Sequence, residues 1–223
     1  MKLSIIIPVY NEINTLPEVL EKLRALDMDM EIIAADDFST DGSREYLREQ
    51  SDVILVENPT NLGKGSAIRK ALEQVSGDII IIQDADLEYD PIDFPKLIQP
   101  IIDNEADMVY GTRFTGKRPH MKLANYLANK LFAFIASTLY RNKITDEATC
   151  YKAFRTDIIR DVTLTCKRFE FCPEITAKTL KRGARFKEVP ISYYPRTAKE
   201  GKKIGWLDGL ECLWALIKYR FKD

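Results

Sequence analysis

Five short β-branched runs constrain this chain more than any other feature. The runs "LSIIIPV" (3–9), "EIIAA" (31–35), "VILV" (53–56), "IIII" (79–82) and "DMVY" (107–110) alternate with helix-like segments. Apolar runs separated by enough chain for a helix fit right-handed βαβ units around a mostly parallel central sheet, flanked by helices on both faces. The expected fold class is therefore α/β.

After residue 110 the pattern changes. A long helix-like segment covers about 121–140, "CYKAF" (150–154) and "FKEVPISYY" (186–194) read as further strands, and an amphipathic C-terminal helix is expected over 205–220. There is no internal repeat, low-complexity tract or Gly/Ser linker, so a single domain over 1–223 is expected, with 1–110 and 111–223 as its two halves. A formal net charge of -1 gives no bulk attraction to nucleic acid. Cys150, Cys166, Cys172 and Cys212 form no CxxC pair, and the chain opens on a strand-like run, so a reducing, cytoplasmic setting is expected. The apolar stretch "LFAFIASTLY" (131–140) falls short of the roughly 20 residues that a membrane-spanning helix needs.

In open α/β sheets, ligands bind beyond the carboxyl ends of the strands. Polar residues mark three such ends: "PVYNE" after the first run, "DDFSTDGS" after the second and "QDADLE" after the fourth, and these loops are expected to line one crevice. Asp41 and Ser43 also have the character of helix caps. Asp84, Asp86 and Glu88 place hard oxygen donors on one short loop, as Mg²⁺ or Mn²⁺ prefers; a solvated or capping loop is the alternative. The segment "NLGKGSAIRKAL" is not a nucleoside-triphosphate loop, because Asn58 stands where the first Gly belongs and Gly65 where Ser or Thr should follow Lys64. Gly63 and Gly65 instead suit a tight turn with close backbone approach.

Taken in order, "MKLSIIIPVYNE", "DDFSTDGS", "NLGKGSAIRKAL" and "QDADLEYDP" resemble the nucleotide-sugar-binding half of family 2 glycosyltransferases, whose A-type fold has a Rossmann-like sheet. Then "GTRF", "TDEATCYKAFR", "EVPISYYPR" and "EGKKI" resemble the polyprenyl-phosphate hexosyltransferases, the group that contains dolichyl-phosphate mannose synthase. The resemblance implies that Pro8, Tyr10, Glu12, Ala35 and Asp37 hold the nucleoside. It implies that Asp84, Ala85, Asp86 and Glu88 surround a divalent cation and the diphosphate, and that Arg113, Arg196 and Lys202 meet phosphate oxygens. Asp86, Arg196 and Arg113 are then the expected catalytic residues, with Asp84, Asp86 and Glu88 as metal ligands. The implied reaction is an inverting transfer of mannose or glucose from a GDP- or UDP-hexose to a polyprenyl or dolichyl phosphate. "KEGKK" stands where the mannose enzymes usually carry a Gly-Glu-Ser-Lys-like stretch, so neither hexose is favoured.

Met108 to Thr145 contains no acidic residue, while Arg113, Lys117, Arg118, Lys122, Lys130, Arg141 and Lys143 are all cationic. That charge suits an anionic acceptor, with Lys117 and Arg118 beside Arg113 as candidates for its phosphate. Leu123, Leu127, Leu131, Phe134 and Thr138 form an apolar face that fits either core or lipid, and Trp206, Leu210, Leu213, Trp214, Ile217 and Phe221 form another beside Lys218, Arg220 and Lys222. Peripheral association with a membrane surface is expected. Many polyprenyl-phosphate transferases carry transmembrane helices after this region, which leaves a membrane-anchoring subunit or a shortened chain as readings. His120 is a poor general base, and Ala148, where relatives more often have an acid, is given no role. A hydroxyl acceptor would instead require a carboxylate base, Glu174 or Asp146. A non-catalytic nucleotide-sugar module is disfavoured by the intact Asp84, Asp86, Glu88 and Arg196.

Overall fold

A computed structural model describes residues 1–114, 121, 123–196 and 206–222. Its first half alternates strand and helix: β1 (Leu3–Val9), α1 (Leu16–Arg24), β2 (Met30–Asp36), α2 (Ser43–Arg48), β3 (Val53–Glu57), α3 (Lys64–Leu72), β4 (Ile79–Ile82), α4 (Phe94–Ile102) and β5 (Met108–Thr112). The second half adds α5 (Leu123–Tyr140), β6 (Lys152–Arg155), α6 (Thr156–Arg160), α7 (Phe171–Lys181), β7 (Phe186–Pro190) and α8 (Trp206–Phe221). The strands form one seven-stranded sheet in the order β3-β2-β1-β4-β6-β5-β7. Only β6 runs antiparallel to its neighbours, between β4 and β5.

The four isoleucines of β4 show why its sequence does not alternate. Ile79 and Ile81 enter one core with Leu16, Leu20 and Phe94, whereas Ile80 and Ile82 enter the other with Ile68, Phe154 and Ile175. All four are at most 2% exposed. A central parallel strand covered on both faces needs an apolar side chain at every position, and each such burial contributes roughly 1.5–3 kcal/mol. The strand reverses direction of crossover around β1, which pairs in parallel with both β2 and β4, and this is where α/β sheets open a crevice.

β7 is shorter than "FKEVPISYY" suggests. Past Pro190 the chain is drawn off the sheet, with the Ser192 amide donating to Asp93 Oδ2 at 2.6 Å and the Tyr194 amide to the Glu88 carbonyl at 2.9 Å. This turn carries Tyr193 and Arg196 towards the carboxyl end of β4.

The apolar faces of α5 and α8 resolve outward. Leu123, Leu127, Leu131 and Phe134 are 55–68% exposed, while α5 buries Ala133, Ala136 and Tyr140. Leu207, Leu210, Trp214, Ile217 and Phe221 of α8 are likewise exposed, and Ala215, Leu216 and Tyr219 face the core. The two helices pack together, with the Tyr140 hydroxyl donating to the Leu216 carbonyl at 2.6 Å. Among the described residues, no helix is long and apolar enough to cross a membrane.

Candidate active site

The loops after β1, β2 and β4 converge on a cavity of about 470 Å³. Each contains one non-glycine residue in the left-handed region: Asn11 (φ 51°), Phe38 (φ 67°) and Leu87 (φ 59°). Such backbone costs of order 1–3 kcal/mol per residue and persists only where its surroundings hold it. Here they do. Asn11 receives the Thr40 amide on Oδ1 at 2.8 Å and donates its own amide to Ser39 Oγ at 3.0 Å, joining the first two loops. Asp41 accepts from the Ile13 and Ser43 amides and so fastens the first loop, while the helix cap expected of Asp41 or Ser43 is Gly42, without a side-chain cap hydrogen bond.

Pro8, Tyr10, Glu12, Asp37, Asp84, Ala85, Asp86, Glu88, Arg113 and Arg196 all line the cavity. Ala35 does not: it is 1% exposed and packs in the core with Ala67 and Ile68. β2 continues through Asp36, so position 35 is still inside the pleat and its methyl points into a covered face. Lys117, Arg118, His120 and Lys202 lie outside the described residues.

Asp37 is buried, and its carboxylate is occupied by Asn58 Nδ2 and by the amides of Leu62 and Gly63 at 2.7–2.8 Å. It therefore shapes one wall of the cavity by fixing the 58–63 loop. That loop leads into α3, whose next amides are also taken: Gly65 donates to the Arg168 carbonyl and Ser66 to the Lys167 carbonyl, both at 3.0 Å. A Cβ on Gly65 would stand 2.8 Å from the Arg168 carbonyl oxygen, which explains the glycine. The amino end of α3 is closed to a phosphate by its own fold.

The acids of the third loop face cations. Lys64 pairs with Asp84 and lies 3.3 Å from Cys150 Sγ. Burial opposes the Lys64 charge, but Asp84 holds its pKa well above the ordinary value. Arg196 spans Glu12 (2.9 Å) and Asp86 (2.8 Å). Burial and the Asp84 carboxylate push Asp86 up to about 7, against the pull of Arg196.

Glu88 has a different task from the expected one. Its carboxylate accepts the Arg196 amide at 2.9 Å and the Tyr193 hydroxyl at 3.2 Å, tying down the segment after β7. Arg113 also differs from expectation: its guanidinium makes a two-point pair with fully buried Asp146, 2.7 Å on each arm, and stacks near Tyr193. Burial works against that charge, and Asp146 holds it well above the usual arginine value. Glu174 is equally committed, accepting from Lys178 and from the Thr165 and Cys166 amides, which bring it down to about 2 although burial alone would raise it.

Among the described residues, no three acidic, cysteine or histidine side chains are disposed to hold a metal ion, because Arg196 sits against Asp86 and Glu88 is turned to the 193–196 segment. The donor chemistry nevertheless fits a divalent cation at Asp84 and Asp86. Two neighbouring carboxylates buried together raise each other's cost of ionisation, and Asp86 shows it. An anion also fits, since Arg196 Nε is buried with no acceptor among the described residues. Sequence reasoning missed Lys64 as a cavity residue, along with Asn61, Leu62, Arg168, Phe169 and Tyr193.

A crevice at the carboxyl ends of a sheet with this strand order is the architecture of the A-type glycosyltransferase fold, and solved structures agree on the fold. Glucosyl-3-phosphoglycerate synthase from Mycobacterium tuberculosis, crystallised with Mn²⁺, UDP and phosphoglyceric acid, superposes with a TM-score of 0.76 at 19% identity, over 99% of this chain and 78% of its own. A profile of glycosyl transferase family 2 matches residues 4–163, and the chain belongs to that family. The undecaprenyl-phosphate mannosyltransferase of Micrococcus luteus is 30% identical over 225 residues, 94% of this chain and 90% of the relative. The dolichol-phosphate mannosyltransferase of Pyrococcus furiosus is 31% identical over 92% of this chain and 60% of its own length. Glycosyltransferase AglJ of Haloferax volcanii is 31% identical over 86% of this chain. The chain spans 63% of AglJ, so these two relatives extend well beyond the matched region.

Proposed function

We propose that the protein transfers a hexose, with inversion, from a nucleoside diphosphate sugar to a polyprenyl phosphate at a membrane surface. The observation that carries this reading is the near full-length similarity to an undecaprenyl-phosphate mannosyltransferase in a chain whose strand-end loops enclose Asp84, Asp86 and Arg196. A phosphate oxygen of the acceptor forms the new bond to the anomeric carbon. The bond from that carbon to the diphosphate oxygen breaks, and its electron pair leaves with the nucleoside diphosphate. The acceptor phosphate is ionised near neutral pH, so no side chain needs to remove a proton.

Asp84 and Asp86 would hold Mg²⁺ or Mn²⁺, which when bound neutralises the leaving diphosphate. Arg196 supplies a second positive charge at that point, preorganised by Glu12 and by the Glu88 clamp on its amide. Pro8, Tyr10 and the loop fixed by Asp37 form the nucleoside wall. A hydroxyl acceptor has less support, because the two carboxylates it would use as base are held by Arg113 and Lys178. The outward apolar faces of α5 and α8 would seat the protein on the membrane that carries the acceptor.

The test incubates purified protein and Mn²⁺ with UDP-glucose or GDP-mannose and a short-chain polyprenyl phosphate. A lipid-linked sugar is expected with one of them, and none with any common donor would overturn the reading.

A further inference from the structure

Among the described residues, four cations line the crevice: Lys64, Arg113, Arg168 and Arg196. All four are paired with acids, but three are largely shielded in doing so, Lys64 with Asp84, Arg113 with Asp146 and Arg196 with Glu12 and Asp86. Arg168 is different. Its side chain is 59% exposed, and its ion pair, 3.0 Å to Asp208, comes from α8.

The backbone beneath Arg168 is unusually well fixed for an irregular segment. Four successive amides are bound by two carboxylates: Thr165 and Cys166 donate to Glu174, and Lys167 and Arg168 donate to Glu170. The carbonyls of Lys167 and Arg168 then receive the amides of Ser66 and Gly65. An exposed arginine thus stands on a rigid base at the edge of the cavity, aimed by a largely buried aspartate.

Asp208 belongs to α8, one of the two helices with an outward apolar face. Its neighbours on α8, Leu207 and Leu210, are 58% and 56% exposed. A ligand with a phosphate on an apolar chain would be offered a cation at the crevice and a hydrocarbon face on the helix whose aspartate pairs with that cation. Of the candidates from sequence, Arg113 is withdrawn into its pair with Asp146, and Lys117 and Arg118 lie outside the described residues.

We infer that Arg168 contacts the phosphate of the lipid acceptor and that Asp208 is its positioning residue, an inference that rests on the polyprenyl phosphate acceptor proposed above. An arginine and a phosphate form charge-assisted hydrogen bonds, and the Asp208 pair limits the rotamers that must be fixed on binding.

The test measures steady-state transfer to farnesyl phosphate, with Mn²⁺ and whichever donor the wild type uses. Arg168→Ala keeps the carbonyl that caps α3, so its melting temperature should match the wild type. Its KM for farnesyl phosphate should rise about tenfold, with donor KM within about twofold. Arg168→Lys should recover part of the loss, and Asp208→Asn should raise acceptor KM by less than Arg168→Ala. A direct binding titration without donor should show that the wild type prefers farnesyl phosphate to farnesol and that Arg168→Ala loses this preference. An unchanged acceptor KM in folded Arg168→Ala, or a rise confined to the donor KM, overturns the assignment while leaving the transferase reading intact. A wild type that transfers no sugar to any polyprenyl phosphate removes both.

Discussion

Arg196 reaches Asp86 across 110 positions of sequence, Nη2 to Oδ2 at 2.8 Å. The pair sets an arginine against the acid whose pKa is raised to about 7, and the same acid is a proposed cation ligand. Cation binding must then displace a proton in part of the population near neutrality. Mn²⁺ affinity, followed by calorimetry, should strengthen about tenfold between pH 6 and pH 8, the change in the ionised fraction of a group titrating near 7. Asp86→Asn should flatten that dependence and abolish metal-dependent turnover while the fold persists. Because the folded-state value lies above the ordinary 3.8, this group stabilises the metal-free fold at low pH and loses that contribution as pH rises towards 7.

The Arg113–Asp146 pair is shielded from solvent, at 7% and 0% side-chain exposure. Removing one partner strands a buried charge, so Asp146→Ala should cost about 3–5 kcal/mol in chemical denaturation. Replacing both residues with apolar ones of similar volume should recover most of it. If Asp146→Ala unfolds like the wild type, the pair is not the structural element described.

Glu174 works in the opposite pH direction. Its folded-state value of about 2 lies below the ordinary 4.5, so its stabilisation is complete above that ordinary value and is lost as pH falls towards 2. The contribution is on the order of 3 kcal/mol. Glu174→Gln should be less stable at neutral pH and should show a shallower loss of stability between pH 5 and about 2.

The exposed faces of α5 and α8 predict adsorption to vesicles. Replacing Phe134 or Trp214 with Glu should weaken co-sedimentation with anionic vesicles by about tenfold or more, since one large apolar side chain buries roughly 1.5–3 kcal/mol. Both side chains are more than 60% exposed, so the melting temperature should hold. Equal sedimentation of variant and wild type would remove these helices from the membrane surface.

Much of this was legible in the sequence, for identifiable reasons. The strands "LSIIIPV" and "IIII" coincide with β1 and β4 because buried parallel strands leave a continuous apolar run. The three strand-end loops meet because topology alone brings them together. Ala35 was read as the end of the second strand run and given a nucleoside role only by the resemblance; β2 runs one residue further and buries its methyl. Arg113 and Glu88 were located correctly at the cavity, but their partners lie 33 and more than a hundred residues away, beyond any local pattern. The segment carrying Arg168 has no periodicity at all, since its order comes from Glu170, Glu174 and α3.

The antiparallel strand β6 bears on how the chain can be divided. It lies between β4 and β5, so the first half acquires a continuous sheet only when residues 152–155 arrive from the second. A fragment ending near residue 110 would leave Ile79, Ile80 and Ile81 on an open edge, an invitation to pair with another copy and aggregate. The two halves are separate stretches of sequence but a single act of folding.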